Sequence, residues 1–294
     1  MKKILITGAN SYIGTSFEKY IKDNYPDEYI IDTVDMLDGS WREKNFAGYD
    51  SVFHVAGIAH SDNGKISAEK EKLYYAVNTD LTIETARKAK DDGAKQFIFM
   101  SSAIVYGDSA PIGQKKVITR ETPVSPANCY GDSKVQAENG IRPLNDDNFK
   151  VVILRPPMIY GKGSKGNYPT LSKLAQKLPV FPYVKNERSM LYIENLCEFV
   201  RLMVENEEAG TFWPQNSEYS NTSQLVKMIA EVHGKKIILV PGFTWLLKLM
   251  SCVGGLVNKA FGNLSYDIGL SEYRIDYRTV KYLKETVRLT ESIE

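Results

Sequence analysis

A tyrosine and a lysine stand four positions apart in Asn128-Cys129-Tyr130-Gly131-Asp132-Ser133-Lys134. On a helix, both side chains leave one face about one turn apart. A phenol is ordinarily protonated at neutral pH, with a pKa of ~10. A nearby ammonium favours the phenolate, so the spacing predicts a Tyr130 held below that value by Lys134. Such a pair can transfer a proton near pH 7. The same spacing also occurs on solvated helix faces, so the residues around it decide. Two serines, Ser101 and Ser102, end the apolar run Gln96–Met100. The carboxyl end of a strand is where open α/β sheets bind ligands.

A second set of residues is suited to phosphate. The run Lys3–Ile6 ends in Thr7-Gly8-Ala9-Asn10-Ser11-Tyr12-Ile13-Gly14, and a helical pattern follows with Ile13, Phe17, Tyr20 and Ile21 on one face. Strand, glycine-bearing turn and helix form the setting in which amide groups and a helix N-terminus meet a pyrophosphate. Gly8, Ser11, Tyr12, Ile13 and Gly14 are the candidate cofactor residues there, with Ser11 where a glycine is usual. Asp35 ends the next strand, Tyr29–Val34. A carboxylate there accepts ribose hydroxyls and repels a 2′-phosphate, which favours NAD over NADP. Asp32 and Asp38 are competing acids, and Arg42 is a competing phosphate ligand. The third strand, Ser51–Gly57, ends in Val55-Ala56-Gly57, small enough for a flat cofactor to approach. His54 lies within that apolar run and reads as a core histidine. His60 follows in a loop, where a substrate contact and a surface role are both open.

The elements that must position these residues alternate. Ala68–Lys90 reads as one long helix with Leu73, Val77, Leu81 and Ala89 on its apolar side and Asn78 within it; Gln96–Met100 and Lys150–Leu154 read as strands. The gap between Asp35 and Ser51 has little room for a further helix and strand. The alternation predicts an α/β chain with a doubly wound parallel sheet, a Rossmann fold, and a smaller C-terminal substrate-binding lobe. The expected division is 1–158 for the dinucleotide domain, with a return around 191–215, and 159–190 plus 216–294 for the lobe. In that lobe, 161–167 reads as a flexible basic loop, 195–204 and 223–232 as helices, and 273–294 as ending in a surface helix.

Composition narrows the class. A net charge of +1 across 294 residues gives no electrostatic reason for nucleic-acid binding. Cys129, Cys197 and Cys252 form no metal-ligand spacing, so no metal is expected, and their sparseness fits a reducing, cytoplasmic setting. Phe243–Phe261 is apolar but interrupted by Lys248, Gly254-Gly255 and Lys259, and reads as a pair of amphipathic helices packed on the lobe rather than a membrane span.

In order and spacing these pieces resemble the extended short-chain dehydrogenase/reductase family, in its nucleotide-sugar epimerase, dehydratase and 4-ketoreductase branch. The resemblance runs from Ile4 to about Leu202. It is carried by Thr7-Gly8…Gly14, Asp50–Gly57, Val77-Asn78, Phe99–Asp108, Tyr130…Lys134, Leu154-Arg155-Pro156-Pro157 and Arg188…Tyr192–Leu196. It implies that Tyr130 is the acid/base at a sugar hydroxyl, that Lys134 binds the nicotinamide ribose, and that Ser102 orients the same hydroxyl. It adds Val55, Asn78 and Pro157 to the cofactor contacts and His60, Asn167 and Arg188 to the substrate contacts. The implied cofactor is NAD, the implied substrate a UDP-linked sugar, and the implied assembly a homodimer through the helices of Asn78 and Tyr130. A UDP-sugar 4-epimerase of the UDP-glucose or UDP-N-acetylglucosamine type is the first expectation. A 4-ketoreductase of a UDP-linked 4-keto-deoxy-N-acetylhexosamine in surface polysaccharide synthesis is the alternative. A non-catalytic dinucleotide-binding regulator is the reading from another class. Ala103 and Ile104 stand where sugar dehydratases place an acid, which ranks dehydration third.

Overall fold

The computed structural model describes residues 1–58, 66–245, 247–248 and 255–292. Strand β1 (Lys2–Thr7) leads into helix α1 (Tyr12–Asn24), then strands β2 (Tyr29–Val34) and β3 (Ser51–His54). Helices α2 (Ala68–Tyr74) and α3 (Leu81–Asp91) are joined by a π-helical turn over Tyr75–Asp80. Strand β4 (Gln96–Met100), a tight 3-10 turn (Ala103–Tyr106), the short β5 (Val117–Ile118), helix α4 (Cys129–Ile141) and β6 (Lys150–Leu154) follow. Next come β7 (Met158–Tyr160), α5 (Asn167–Lys177), β8 (Val180–Pro182), β9 (Met190–Tyr192), α6 (Ile193–Glu205) and β10 (Gly210–Phe212). Helix α7 (Thr222–Val232), β11 (Ile238–Val240), α8 (Gly255–Phe261), β12 (Ser265–Tyr266) and α9 (Leu283–Glu291) complete the described elements.

The chain divides into two units. The first comprises 1–107, 123–156 and 196–214; the second comprises 108–122, 157–195 and 215–294. Residues 108–122, which the sequence reading leaves with the first unit, group with the second.

The first unit is an α/β fold around a parallel six-stranded sheet in the order β10-β6-β4-β3-β1-β2. The chain leaves β1 toward β2 on one side and returns to β3 on the other. The crevice beyond the carboxyl ends of β1 and β3 is thus the topological switch point, where such sheets bind ligands. Between β2 and β3 there is only a short 3-10 turn, Ser40–Arg42, so β2 is the sheet edge, as the shortness of that stretch predicts. The inner strands carry the core: Ile4, Leu5, Val52, Phe53, Phe97, Ile98, Phe99, Val152 and Leu154 are fully buried.

The expected single helix from Ala68 to Lys90 is corrected. The π-helical turn interrupts it, and the buried side is Tyr74, Asn78, Thr79, Thr82, Thr85, Ala86 and Ala89. Leu73 is 49% exposed, while Val77 and Leu81 are half-buried. The wider turn rotates the helix face, so a face drawn with an unbroken 3.6-residue period points the wrong side chains inward.

In the second unit, β7 pairs with β9, β8 with β11 and β5 with β12, all in parallel. The basic stretch expected as a loop gives way to helix α5 at Asn167. The tail ends in helix α9, as expected, and the helix is one-sided, burying Leu283, Thr286 and Val287. Of the apolar stretch 243–261, residues 246 and 249–254 lie outside the described residues; Phe243 and Trp245 are exposed, and 255–261 is helical. Among the described residues no helix is long and apolar enough to cross a membrane.

Candidate active site

Helix α4 begins at a side-chain cap. Asn128 adopts extended backbone, and its Oδ1 accepts the Gly131 amide at 2.9 Å. This start puts Tyr130 in the first turn and Lys134 in the second. Gly131 lets the helix approach the turn after β4: a Cβ there would stand 2.9 Å from the Ile104 carbonyl oxygen. Ser102 caps that turn, its hydroxyl accepting the Ile104 amide at 3.3 Å, and that hydroxyl is close enough to the Tyr130 phenol to favour its ionised form. The turn is also anchored from behind, because the Ala103 amide donates to the Pro156 carbonyl at 2.9 Å. Ser102 and Tyr130 are therefore brought together by two caps and one glycine.

Lys134 is 5% exposed. Its ammonium donates to the Met100 carbonyl at 2.9 Å and lies 4.7 Å from the centre of the Phe99 ring. Burial pulls its pKa down to about 8, and the Glu138 carboxylate opposes that fall. Tyr130 behaves against expectation. Desolvation pushes the phenol above its ordinary value, and the Ser102 hydrogen bond acts in the other direction. Burial thus leaves the phenol protonated at neutral pH in the protein alone.

The switch point is built from close contacts. Gly8 has a φ of +99°, and a Cβ on it would lie 2.8 Å from the Ala56 nitrogen. A Cβ on Gly14 would meet Ser11 Oγ, Ile6 and Val55. Ser11 needs no glycine-like backbone: it is extended and caps α1, accepting the Gly14 amide at 3.1 Å. Tyr12 and Ile13 open that helix. Gly57 faces Asn78 and Lys134; a Cβ on it would stand 3.1 Å from Asn78 Oδ1 and 3.4 Å from Lys134 Nζ.

Asn78 is fully buried and acts as a clamp. It accepts the Ile58 amide at 2.8 Å and donates to the Ile58 carbonyl at 3.1 Å and to Ser133 Oγ at 3.2 Å. It thereby holds the strand end of Gly57 against the helix of Lys134. Asp35 is exposed at the end of β2, and its Oδ1 accepts the Leu37 amide at 2.9 Å. Arg42 forms a fork with Glu84, with its second contact at 2.6 Å. His54 is a core histidine, as expected. It bonds Thr7 at 2.7 Å and Thr82 at 3.0 Å, and burial pulls its pKa down to about 3.

The remaining candidates lie in the second unit or outside the described residues. Pro157, Asn167 and Arg188 lie in the second unit. Pro157 is buried, and Asn167 is the exposed first residue of α5. Arg188 donates to the Lys259 carbonyl at 2.7 Å, and burial pulls its pKa down to about 10. His60 lies outside the described residues. Gly131, Ser133 and Glu138 escaped sequence reading as site residues. For Gly131 the signal was present, a glycine in the first turn of a helix where it weakens the helix unless close packing demands it.

Comparison with known proteins bears on the family and the fold. The model of the NAD dependent epimerase/dehydratase family matches residues 4–213. A UDP-glucose 4-epimerase of Vibrio cholerae is 29% identical across 98% of this chain and 94% of its own length. An N-acetyl-alpha-D-glucosaminyl-diphospho-ditrans,octacis-undecaprenol 4-epimerase of Escherichia coli O157:H7 is 29% identical across 80% of this chain and 73% of its own. Among solved structures, a UDP-glucuronic acid 4-epimerase from Bacillus cereus in complex with NAD superposes with a TM-score of 0.72 at 16% identity, covering 98% of this chain and 97% of that one. At that identity the likeness is one of fold. Motifs, fold and family model converge: the chain belongs to the NAD-dependent epimerase/dehydratase family and is an enzyme of the extended short-chain dehydrogenase/reductase type.

Proposed function

We propose that this enzyme is a sugar 4-epimerase acting on a diphosphate-linked hexose, of the UDP-glucose or UDP-N-acetylglucosamine type. The observation that carries the reading is the placement of Tyr130 in the first turn of α4, packed against the turn that Ser102 caps, with Lys134 one helical turn further along the same face. Tyr130 exchanges the proton of the C4 hydroxyl. Ser102 holds that hydroxyl and the phenol in line. Lys134 fixes the phenol's electrostatic surroundings and offers an ammonium to a ribose.

The residues present fit a nicotinamide dinucleotide. The start of α1 offers the Tyr12 and Ile13 amides to a pyrophosphate. Gly8, Gly14, Val55, Ala56 and Gly57 leave bare backbone at the switch point, and Asp35 is available to a ribose diol. When bound, the nicotinamide supplies the hydride acceptor and donor. NAD rather than NADP is favoured by the Asp35 carboxylate and by Glu84, which engages the guanidinium of Arg42. Asn78 acts by holding Gly57. Pro157 is read as a further cofactor contact, and Asn167, Arg188 and His60 as contacts of the substrate's diphosphate or sugar. We also read the enzyme as a cytoplasmic homodimer pairing through the helical segment that holds Asn78 and through α4, which holds Tyr130; sedimentation would test this.

The test is direct. Purified protein incubated with UDP-glucose or UDP-N-acetylglucosamine should yield the galacto epimer by NMR without added reductant. If no epimer forms and a 4-keto sugar is reduced on added NADH, the enzyme is a 4-ketoreductase, the alternative that the same three residues serve. If neither sugar turns over while dinucleotide binds, the regulator reading replaces both.

A further inference from the structure

Tyr130, Lys134 and Glu138 recur every fourth residue of α4 and share one face of it. Glu138 is 1% exposed and Arg155 is 8% exposed. The guanidinium forks onto the carboxylate, Nε to Oε1 at 3.0 Å and Nη2 to Oε2 at 2.5 Å. Ser101 Oγ donates to Oε1 at 2.5 Å, and Arg142 reaches Oε2 at 3.4 Å from the next turn. Arg155 Nη1 donates to the Tyr106 hydroxyl at 2.7 Å, which also accepts the Trp213 indole N–H at 2.7 Å.

Each anchor adjoins the site. Ser101 precedes Ser102. Tyr106 ends the turn that Ser102 caps. Arg155 precedes Pro156, whose carbonyl holds the Ala103 amide. We infer that Glu138 and Arg155 are positioning residues that fix the rotation of α4 against the Ser101–Tyr106 turn, with the Glu138 carboxylate held one helical turn beyond the Lys134 ammonium. This rests on the proton-transfer reading of Tyr130 above.

Stability is a poor reason for such a pair, since apolar replacements of buried ion pairs are often neutral or stabilising. Geometry is a better one, because a bidentate fork tolerates little rotation. The groups facing Lys134 are Tyr130 and Glu138 from its own helix, the Met100 carbonyl and Phe99 ring from β4, His54 from β3, and Asn78 beside Gly57. His54 is neutral, its pKa pulled down to about 3. Glu138 is thus the group opposing the desolvation of the ammonium.

The test replaces Glu138→Gln, which keeps the shape and removes the charge. Because Arg155 would then be left buried without its counter-ion, Glu138→Gln/Arg155→Gln is the companion variant. Lys134 is followed by ¹³Cε NMR titration, assigned with Lys134→Arg, alongside the pH profile of turnover. In a folded variant the Lys134 midpoint should move to lower pH, the basic limb of kcat should move with it, and KM for the sugar should change less than kcat. A folded variant whose midpoint and basic limb match wild type overturns the inference. So does failure of both variants to fold, which would make the pair a folding requirement. A wild-type protein that turns over no sugar sinks the proposed function instead, and the Lys134 titration still decides this point.

Discussion

Gly131 faces the Ile104 carbonyl so closely that a Cβ would stand 2.9 Å from its oxygen. That approach sets the distance between α4 and the Ser102 turn. Gly131→Ala should therefore push the helix away and separate Tyr130 from Ser102, although alanine favours helix. Small misplacements of reacting groups can cost ~10²-fold in rate. We expect kcat to fall by about that factor, with a thermal midpoint close to wild type. Unchanged kcat would show that the close approach is irrelevant to catalysis.

Asn78 satisfies the Ile58 amide and carbonyl while reaching Ser133. Asn78→Ala leaves the part-buried Ile58 amide and carbonyl without this partner, at a combined cost of about 1–3 kcal/mol because water can reach them in part. Urea unfolding should report a loss in that range, and dinucleotide affinity should drop as Gly57 loses its backing. A variant as stable as wild type would contradict the clamp.

His54 gives an acid-side prediction. Burial is the main cause of its low folded pKa, about 3, with the Lys134 charge secondary. The unfolded imidazole titrates near ~6.5. The unfolded state therefore binds the proton first as pH falls. The stabilisation is fully present above about pH 6.5 and is lost progressively toward pH 3. His54→Gln should flatten the pH dependence of unfolding free energy in that window. An unchanged slope would place the titration elsewhere.

Cofactor preference follows from the end of β2. Asp35→Asn should raise NADP affinity relative to NAD, and Asp35→Asn/Glu84→Gln should raise it further by releasing Arg42 from its partner. Isothermal titration with both dinucleotides measures the ratio. Wild type binding NADP more tightly would refute the assignment of Asp35.

How much of this was legible depends on where the signal lies. Thr7–Gly14 and Ser51–Gly57 announce themselves because tight strand-to-helix turns and bare strand ends require small residues at set positions. Tyr130, Lys134 and Ser102 were found because their spacing matches one known arrangement. The π-helical turn at Tyr75–Asp80 leaves no compositional trace, since one hydrogen bond shifts register while side-chain types stay ordinary. The pairing of Glu138 with Arg155 was not legible, because nothing in a linear chain says that residues 17 apart meet inside. The lowered phenol pKa failed for a related reason: spacing shows the cation, but only the fold shows the desolvation that raises the phenol instead.

The central claim is that the Tyr130 oxygen carries the proton. Single-turnover kinetics of Tyr130→Phe with an epimerisable UDP-sugar test it most directly, with dinucleotide binding measured on the same sample. General acid–base groups contribute ~10²–10⁴-fold. We predict that binding persists and that the rate of C4 turnover falls by at least ~10²-fold. Turnover within a few-fold of wild type, with the variant folded and dinucleotide bound, would contradict the account.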